Sequence, residues 1–127
     1  MTVGDRMSRE LVTTGLGATL RDATRRMCDR RVGSILVLDG DRIAGILTER
    51  DVLRVFADGQ FEATVDDVMT PHPETIEPDD SLAHARVVML HGGFRHLPVL
   101  EAGRLVGILS MRDIFGTDDA IEAPRGV

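Results

Sequence analysis

The amino-acid sequence predicts a mixed α/β protein made of two copies of one β-α-β-β-α unit. The main observation is an internal repeat: a shift of 62 residues brings the chain onto itself without a gap, and 14 of 50 positions are identical between 5–54 and 67–116. Each copy also carries one amphipathic helical pattern followed by two short apolar runs. A period this long with only two copies favours a paired arrangement over a solenoid.

The long helix of each copy opens on a residue type that favours the N-cap position, threonine in the first copy and serine in the second. Leu, Ala and Met then recur on one face at helical spacing. These patterns predict helices over 19–31 and 81–91, each preceded by a short leading strand at 12–14 and 74–76.

Two apolar runs follow each long helix, and a hairpin turn signal separates them, at 39–41 and at Ala102-Gly103. The runs are apolar almost throughout, so we expect both faces of these strands to be covered. A second helix begins at Thr48 in one copy and at Ser110 in the other. The predicted strands are 34–38 and 43–47 in the first copy and 96–100 and 105–109 in the second.

The repeat sets the expected domain organisation of the chain. Each copy is too small to bury much apolar surface alone, so the two copies are expected to fold as a pair. We predict a first repeat over 1–58, a linker over 59–64, a second repeat over 65–118 and a flexible tail over 119–127.

Composition excludes several classes of protein. The formal net charge of −6, with no Trp and no Tyr, argues against nucleic-acid binding, which normally needs a basic surface and aromatic rings. No apolar run is long enough for a membrane helix, and the N-terminus lacks the apolar region of a secretory signal. The single cysteine, Cys28, cannot form an internal disulfide, so the expected location is the reducing cytoplasm.

One four-residue motif, a hydroxyl residue followed three positions later by aspartate, stands at the strand-to-helix junction of each copy, at 48–51 and 110–113. A helix N-terminus presents unpaired N–H groups and the positive end of the helix dipole, which suits a phosphate. The aspartate can accept hydrogen bonds from both hydroxyls of a ribose, and an arginine within each motif adds charge. The same motif is also a helix capping box that needs no ligand. Its presence in one register of both copies favours ligand binding.

The order of motifs in the second copy is specific. Asp-Val-Met-Thr-Pro at 67–71, the Leu-x-x-Ala helix, Leu-Pro-Val-Leu at 97–100 and Gly-Ile-Leu-Ser-x-x-Asp at 107–113 together resemble the cystathionine β-synthase (CBS) domain. The first copy resembles it too, with Asp-Arg-Met at 5–7 and Gly-Ile-Leu-Thr-x-x-Asp at 45–51. The chain as a whole therefore resembles a tandem CBS pair, the Bateman module.

The resemblance implies that the repeats pack about a pseudo-two-fold axis and leave two clefts. In that family such clefts often bind AMP, ADP, ATP, NAD(H) or S-adenosylmethionine, and no cofactor is required. CBS pairs usually regulate an attached enzyme, channel or transporter. Here the two repeats occupy nearly all of the sequence, so we expect a free-standing pair that acts on a separate, unknown partner and forms a homodimer.

By the same resemblance, each cleft combines the hydroxyl–aspartate motif of one copy with loops of the other. The backbone of 70–73 is expected to lie against the base, and Arg95 and His96 against phosphates. Gly33 and Ser34 occupy the register of Arg95 and His96 in the other cleft, which makes cleft A the stronger candidate. Expected cleft A residues are Ile46, Thr48, Arg50, Asp51, Thr70, His72, Pro73, Arg95, His96 and Pro98. Expected cleft B residues are Ile108, Ser110, Arg112, Asp113, Ser8, Glu10, Leu11, Gly33, Ser34 and Leu36.

The remaining chemistry-bearing residues favour structural roles. His84 and His91 lie on one helix face without a metal-site spacing motif, so we predict solvated histidines and no metal. Cys28 stands where the second copy has Leu90, which predicts a small core side chain. Neither an activated nucleophile nor an acid–base pair is recognisable, so the chain is not expected to be an enzyme.

Two hypotheses from different classes remain. The first is a regulatory sensor of an adenine-containing ligand, because ligand binding to a bistable pair can be transmitted to a partner. The second is a non-catalytic dimerisation scaffold that binds no nucleotide. A melting temperature that ignores every nucleotide favours the scaffold.

Overall fold

The structure, a computed structural model, describes residues 1–115. The predicted tail at 119–127 and the last residues of the second repeat lie outside that range. In chain order the elements are α1 (Val3–Arg6), β1 (Thr13–Gly15), α2 (Leu20–Arg30), β2 (Ser34–Asp39), β3 (Arg42–Thr48), α3 (Glu49–Asp58), α4 (Val65–Val68), β4 (Thr70–Pro71), α5 (Leu82–Gly92), β5 (His96–Glu101) and β6 (Arg104–Ser110). Residues 111–115 are also helical. The predicted mixed α/β class is confirmed.

The chain divides into two compact units, which we call unit I and unit II. Unit I is Leu11–Pro73, and unit II joins Met1–Glu10 to the chain from Glu74 onwards. Each unit therefore takes most of one sequence repeat and the opening segment of the other repeat. The sequence comparison identifies equivalent segments, but it contains no information about which copy each segment pairs with.

Unit I contains a four-stranded sheet in the order β1-β2-β3-β4. The predicted leading strand is present as β1 and runs parallel to β2, whereas the other neighbours are antiparallel. The long helix α2 packs its buried Leu, Ala and Met side chains onto this sheet, as its periodicity predicted. The core of unit I consists of Val12, Leu20, Ala23, Met27, Ile35, Val37, Leu47, Val55 and Val65.

Unit II contains the antiparallel hairpin β5-β6. The leading strand predicted at 74–76 is reduced to a single parallel bridge between Ile76 and Val99, so this detail of the prediction is wrong. A proline follows shortly at position 78 and the flanking side chains are exposed, which leaves only Ile76 anchored in the core. The core consists of Val3, Met7, Ile76, Leu82, Ala85, Met89, Leu97, Val99 and Leu109.

The opening segments of the two repeats are held in equivalent ways. In unit II, Ser8 bridges Ile108, with the Ser8 amide 2.9 Å from the Ile108 carbonyl oxygen. In unit I, Thr70 pairs with Ile46, which are the corresponding positions after the 62-residue shift. The exchange of opening segments is therefore a property of both repeats.

Two short helices, α1 and α4, were not predicted from the sequence. Each is closed by a capping box, Thr2 with Asp5 and Thr64 with Asp67. The Thr2 backbone amide donates to the Asp5 carboxylate at 2.9 Å, and together with the Thr2 hydroxyl it lowers the pKa of Asp5 below its usual value. Four residues are too few for a periodicity argument, although the Thr-x-x-Asp spacing does mark both helix starts.

Glycine allows β3 and β6 to approach the opening segments closely. A Cβ on Gly45 would collide with the Met69 sulfur and lie 2.8 Å from the Thr70 carbonyl oxygen. A Cβ on Gly107 would lie 2.7 Å from the Met7 sulfur and 2.8 Å from the Ser8 carbonyl oxygen. These distances are too short for real contacts, so both positions require glycine.

The two hairpin turns differ in type, because only Gly40 has a positive φ in the turn between Asp39 and Arg42, whereas both central residues do in the second turn. Glu101 pairs with Arg104 around Ala102 and Gly103, and both central residues have positive φ, at 51° and 79°. That is the type I′ geometry, in which alanine is a poor first central residue and asparagine a good one. Ala102 therefore adopts a backbone conformation that is strained for a residue other than glycine, asparagine or aspartate.

Ala102→Asn is expected to stabilise the protein by about 0.5–1 kcal/mol, because asparagine tolerates the left-handed conformation that alanine disfavours. Thermal unfolding should show a midpoint a few degrees higher. Ala102→Val is the matched control, since a β-branched residue at positive φ should lower the midpoint. A lower midpoint for Ala102→Asn would contradict the turn assignment.

Two predictions about individual side chains have opposite outcomes. Met27 and Met89 are buried in the cores of units I and II, as the repeat indicated. Cys28 is exposed, so its assignment to the core is wrong. The reason is that the comparison residue, Leu90, is itself 64% exposed. The alignment of Cys28 with Leu90 therefore did not predict whether Cys28 is buried.

Candidate functional site

The hydroxyl–aspartate motif of unit I closes the N-terminus of α3. The Thr48 backbone amide donates to Asp51 Oδ2 at 2.9 Å, and the Thr48 hydroxyl lies 3.1 Å from the same oxygen. In return, the Asp51 amide donates to Thr48 Oγ1 at 3.4 Å. The capping alternative is therefore present in the structure, and it holds the buried side chain of Asp51, a residue only 7% exposed, at the end of β3.

The motif of unit II repeats this geometry. The Ser110 amide donates to Asp113 Oδ2 at 2.7 Å, and the Asp113 amide donates to Ser110 Oγ at 3.4 Å. Both side chains are half-buried. Each motif thus fixes a carboxylate where a strand passes into a helix.

A capping box alone does not identify a ligand site in this chain. Thr2 and Asp5, and likewise Thr64 and Asp67, form the same reciprocal hydrogen bonds at α1 and α4. Asp5 and Asp67 are exposed, whereas Asp51 is buried. A buried carboxylate costs free energy unless its charge is compensated. Asp51 forms an ion pair with Arg54, whose Nη1 lies 3.8 Å from Asp51 Oδ1.

The motif of unit I leaves one helix amide open among the residues that the structure describes. At the start of α3 the Glu49 amide donates to the Gly33 carbonyl at 3.1 Å and the Asp51 amide to Thr48, but the Arg50 amide has no hydrogen-bond partner within residues 1–115. The positive end of the helix dipole reinforces this open donor. An anion placed there would gain a backbone hydrogen bond.

Unit I gathers most of the residues predicted for cleft A. Thr70 pairs with Ile46 across β3 and β4, and the His72 amide donates to the Ala44 carbonyl at 3.1 Å. Pro73 ends the unit. Unit I also places two residues predicted for cleft B beside this motif, since Ser34 pairs with Thr48 and Gly33 accepts from Glu49. Leu11 and Leu36, predicted for cleft B, also belong to unit I.

Unit II gathers the equivalent set around Ser110. His96 pairs with Ser110, Pro98 pairs with Ile108, and the Met111 amide donates to the Arg95 carbonyl at 2.8 Å. Within unit II, the predicted cleft A residues Arg95, His96 and Pro98 therefore stand next to the motif of cleft B, together with Ser8, Glu10, Ile108, Arg112 and Asp113. The division of these residues between two clefts stays a prediction from the resemblance.

Charge distinguishes the surroundings of the two motifs. Beside Ser110, Arg95 directly precedes His96, the first residue of β5, and Arg112 follows in the helix. Beside Thr48, the same register holds the small residues Gly33 and Ser34. Arg95 and His96 thus stand beside the unit II motif, whereas the unit I motif has no cationic or imidazole side chain at the equivalent two positions.

His72 is the one strained residue among the candidates. Its φ is 47°, in the left-handed region that few non-glycine residues adopt. It is exposed, and its amide is tied to Ala44. Such strain is often found at binding loops. Sequence reasoning selected His72 from the resemblance but had no signal for its conformation.

The other chemistry-bearing side chains of residues 1–115 form no cluster suited to a metal. In that part of the chain, no three His, Cys, Asp or Glu side chains lie close enough together to hold a metal ion. No helix among these residues has the length and apolar character needed to cross a membrane. His84 and His91 are both exposed on α5.

Comparison with known proteins gives one family. The family model described as CBS domain matches residues 3–58 and 65–118. An uncharacterised 17.7 kDa protein of Acidianus ambivalens is 35% identical over 98 residues, which cover 76% of this chain and 60% of that protein. The chain therefore spans less than two thirds of this relative.

The solved structures with the same fold include several that are more than 25% identical to this chain in sequence. A protein with CBS domains from Burkholderia ambifaria MC40-6 is 32% identical, with a TM-score of 0.86 and full coverage of both chains. CBSX2, solved in complex with AMP, is 27% identical, with a TM-score of 0.79, covering 96% of this chain and 98% of that one.

Proposed function

Because the chain belongs to the CBS-domain family and carries two CBS domains, we propose that it is a regulatory module that binds an adenine-containing ligand and signals to a partner protein. The observation that carries this proposal is the buried Asp51 carboxylate, held by Thr48 beside an open helix amide. This arrangement offers an acceptor for ribose hydroxyls and a donor for phosphate within one turn of α3. Similarity to CBSX2, which was solved with AMP, supports adenosine as the shared part of the ligand.

The chemistry assigns a role to each part of the motif. The Asp51 carboxylate accepts from the ribose, the Arg50 amide donates to a phosphate oxygen, and the strained backbone at His72 lies against the base. Ser110, Arg112 and Asp113 take the corresponding roles in unit II, where Arg95 and His96 add positive charge. Candidate ligands are AMP, ADP, ATP, NAD(H) and S-adenosylmethionine. The proposal includes no catalytic step.

Thermal unfolding tests the sensor against the scaffold. A ligand that binds only the folded protein stabilises it by about 2.7 kcal/mol at a concentration 100 times its Kd. We therefore expect AMP to raise the unfolding midpoint by several degrees, with adenine-free ribose 5-phosphate as the control. A midpoint unchanged by all five candidate ligands would favour the non-catalytic scaffold.

We also propose a homodimer formed through the helical face of unit II. Val87 and Leu90 on α5 are 52% and 64% exposed, and Phe115 follows in the last described helix. An exposed apolar face of this kind is commonly buried isologously. Sedimentation at micromolar concentration should show a dimer that Leu90→Glu dissociates, with Ala83→Glu nearby as a milder control. A monomeric wild-type protein would contradict this.

The proposed location is the cytoplasm. Cys28 is an exposed free thiol, which suits a reducing compartment.

A further inference from the structure

The two oxygens of the Asp51 carboxylate have different surroundings. Oδ2 accepts from the Thr48 amide at 2.9 Å and lies 3.1 Å from the Thr48 hydroxyl, so both of its lone pairs are in use. Oδ1 accepts no hydrogen bond from any group within residues 1–115. In that part of the chain, every side-chain oxygen or nitrogen that is shut off from solvent has a hydrogen-bond partner, so Oδ1 must reach solvent. A ligand therefore meets this carboxylate at Oδ1.

An arginine stands beside the open oxygen. Arg54 lies one turn further along α3, and its Nη1 is 3.8 Å from Asp51 Oδ1. This distance is too long for a hydrogen bond, so the guanidinium supplies positive charge and leaves the lone pairs of Oδ1 free for the two hydroxyls of a ribose. The Arg54 side chain is 65% exposed and that of Asp51 is 10% exposed. The arginine is thus the solvated partner of a nearly buried carboxylate.

The arginine distinguishes this capping box from the other three. The aspartates of those boxes form no ion pair with an arginine among the residues that the structure describes; they are Asp5, Asp67 and Asp113. Three positions after each of them, the sequence has Ser8, Thr70 and Gly116 in turn. Closing a helix N-terminus therefore does not require the arginine, which points to a role for Arg54 beyond capping.

We propose that Arg54 is a positioning residue for ribose recognition at the unit I motif, an inference that rests on the proposed binding of an adenine nucleotide. Its charge offsets the free-energy cost of an ionised carboxylate that is nearly buried. Asp51 Oδ1 is thereby held charged and open, and both ribose hydroxyls donate to it. The motif of the second repeat has Gly116 at the equivalent position and lacks this contribution.

A double-mutant cycle between Arg54 and Asp51, measured by calorimetric titration of the full chain with AMP, tests this role. Every protein of the cycle carries Asp113→Asn, which weakens the unit II motif and leaves the unit I motif to dominate the heat. We expect Arg54→Ala to weaken AMP binding about three- to fivefold, the range of a partly exposed ion pair. In the Asp51→Asn background the same substitution should leave the affinity unchanged, because no carboxylate charge remains for the guanidinium to support.

Control variants separate positioning from other roles. Arg54→Lys should recover most of the affinity because it keeps the charge, and Arg86→Ala, at an exposed position on α5, should bind as the parent protein does. An equal loss in both backgrounds would overturn the proposal, since Arg54 would then contact the ligand directly or merely stabilise α3. Tighter binding in Arg54→Ala would also overturn it, because the guanidinium would then compete with the ribose. Absence of AMP binding in the wild-type protein would overturn the proposed function, whereas normal binding with an inert Arg54 would overturn this inference alone.

Discussion

Gly45→Ala is expected to destabilise the protein by about 1–3 kcal/mol, the usual cost of inserting a methyl group into a filled space. The new Cβ would meet the Met69 sulfur and the Thr70 carbonyl oxygen. The methionine can rotate away, but the carbonyl belongs to β4 and cannot move without loss of the pairing between β3 and β4. The opening segment of the second repeat should therefore loosen from unit I.

The repeat provides a second test of the same idea and a control. Gly107→Ala should have a similar effect in unit II, because its Cβ would lie 2.8 Å from the Ser8 carbonyl oxygen. Gly15→Ala is the control, since this strand glycine has no atom within 4 Å of its Cβ position. Thermal unfolding should show lower midpoints for the first two variants and little change for the third. Equal midpoints for all three would contradict the close approach.

Combining Gly45→Ala with Met69→Ala separates the two contacts. The smaller side chain removes the collision with sulfur but leaves the one with the Thr70 carbonyl. Met69→Ala alone already removes a side chain packed against the core of unit I, so it is the reference for the double variant. Relative to it, we expect Gly45→Ala still to lower the midpoint, because the Thr70 carbonyl oxygen remains. Full recovery would show that only the methionine side chain opposes the added methyl group.

Asp51→Asn is expected to weaken AMP binding by about 10- to 100-fold, because hydrogen bonds to a charged acceptor contribute about 1.5–3 kcal/mol. Asparagine keeps an acceptor oxygen for the Thr48 amide, so the cap of α3 should survive. Asp67→Asn is the matched control, since Asp67 forms the same box with Thr64 at α4 but has no role in the proposed site. Its AMP affinity should equal that of the wild-type protein.

The repeat predicted most of the elements, because helical and strand periodicities are local properties of the sequence. The long helices begin after their predicted caps, with Thr19 accepting from Asp22 and Ser81 from His84. The hairpins also lie where apolar runs flank a turn signal. Periodicity could not reveal α1 and α4, which are a single turn long, or the exchange of opening segments, which is a tertiary choice between equivalent partners.

The candidate site was predictable to a lesser degree. The two hydroxyl–aspartate motifs were identified by spacing, and the capping geometry that was the alternative to ligand binding is present in both. The difference between a buried Asp51 and an exposed Asp67 depends on tertiary packing and leaves no local signal. The register of β5 and β6 places His96 opposite Ser110, with Arg95 next to it. The resemblance alone assigns these two residues to the motif of the other repeat.

Calorimetric titration with AMP of the wild-type protein, Asp51→Asn and Asp67→Asn examines ligand binding at the proposed site. We predict saturable heat for the wild-type protein, unchanged affinity for Asp67→Asn, and affinity lowered by about 10- to 100-fold for Asp51→Asn. Equal affinity in all three proteins would place the ligand elsewhere. Absence of heat from AMP, ADP, ATP, NADH and S-adenosylmethionine in the wild-type protein would contradict the sensor function itself.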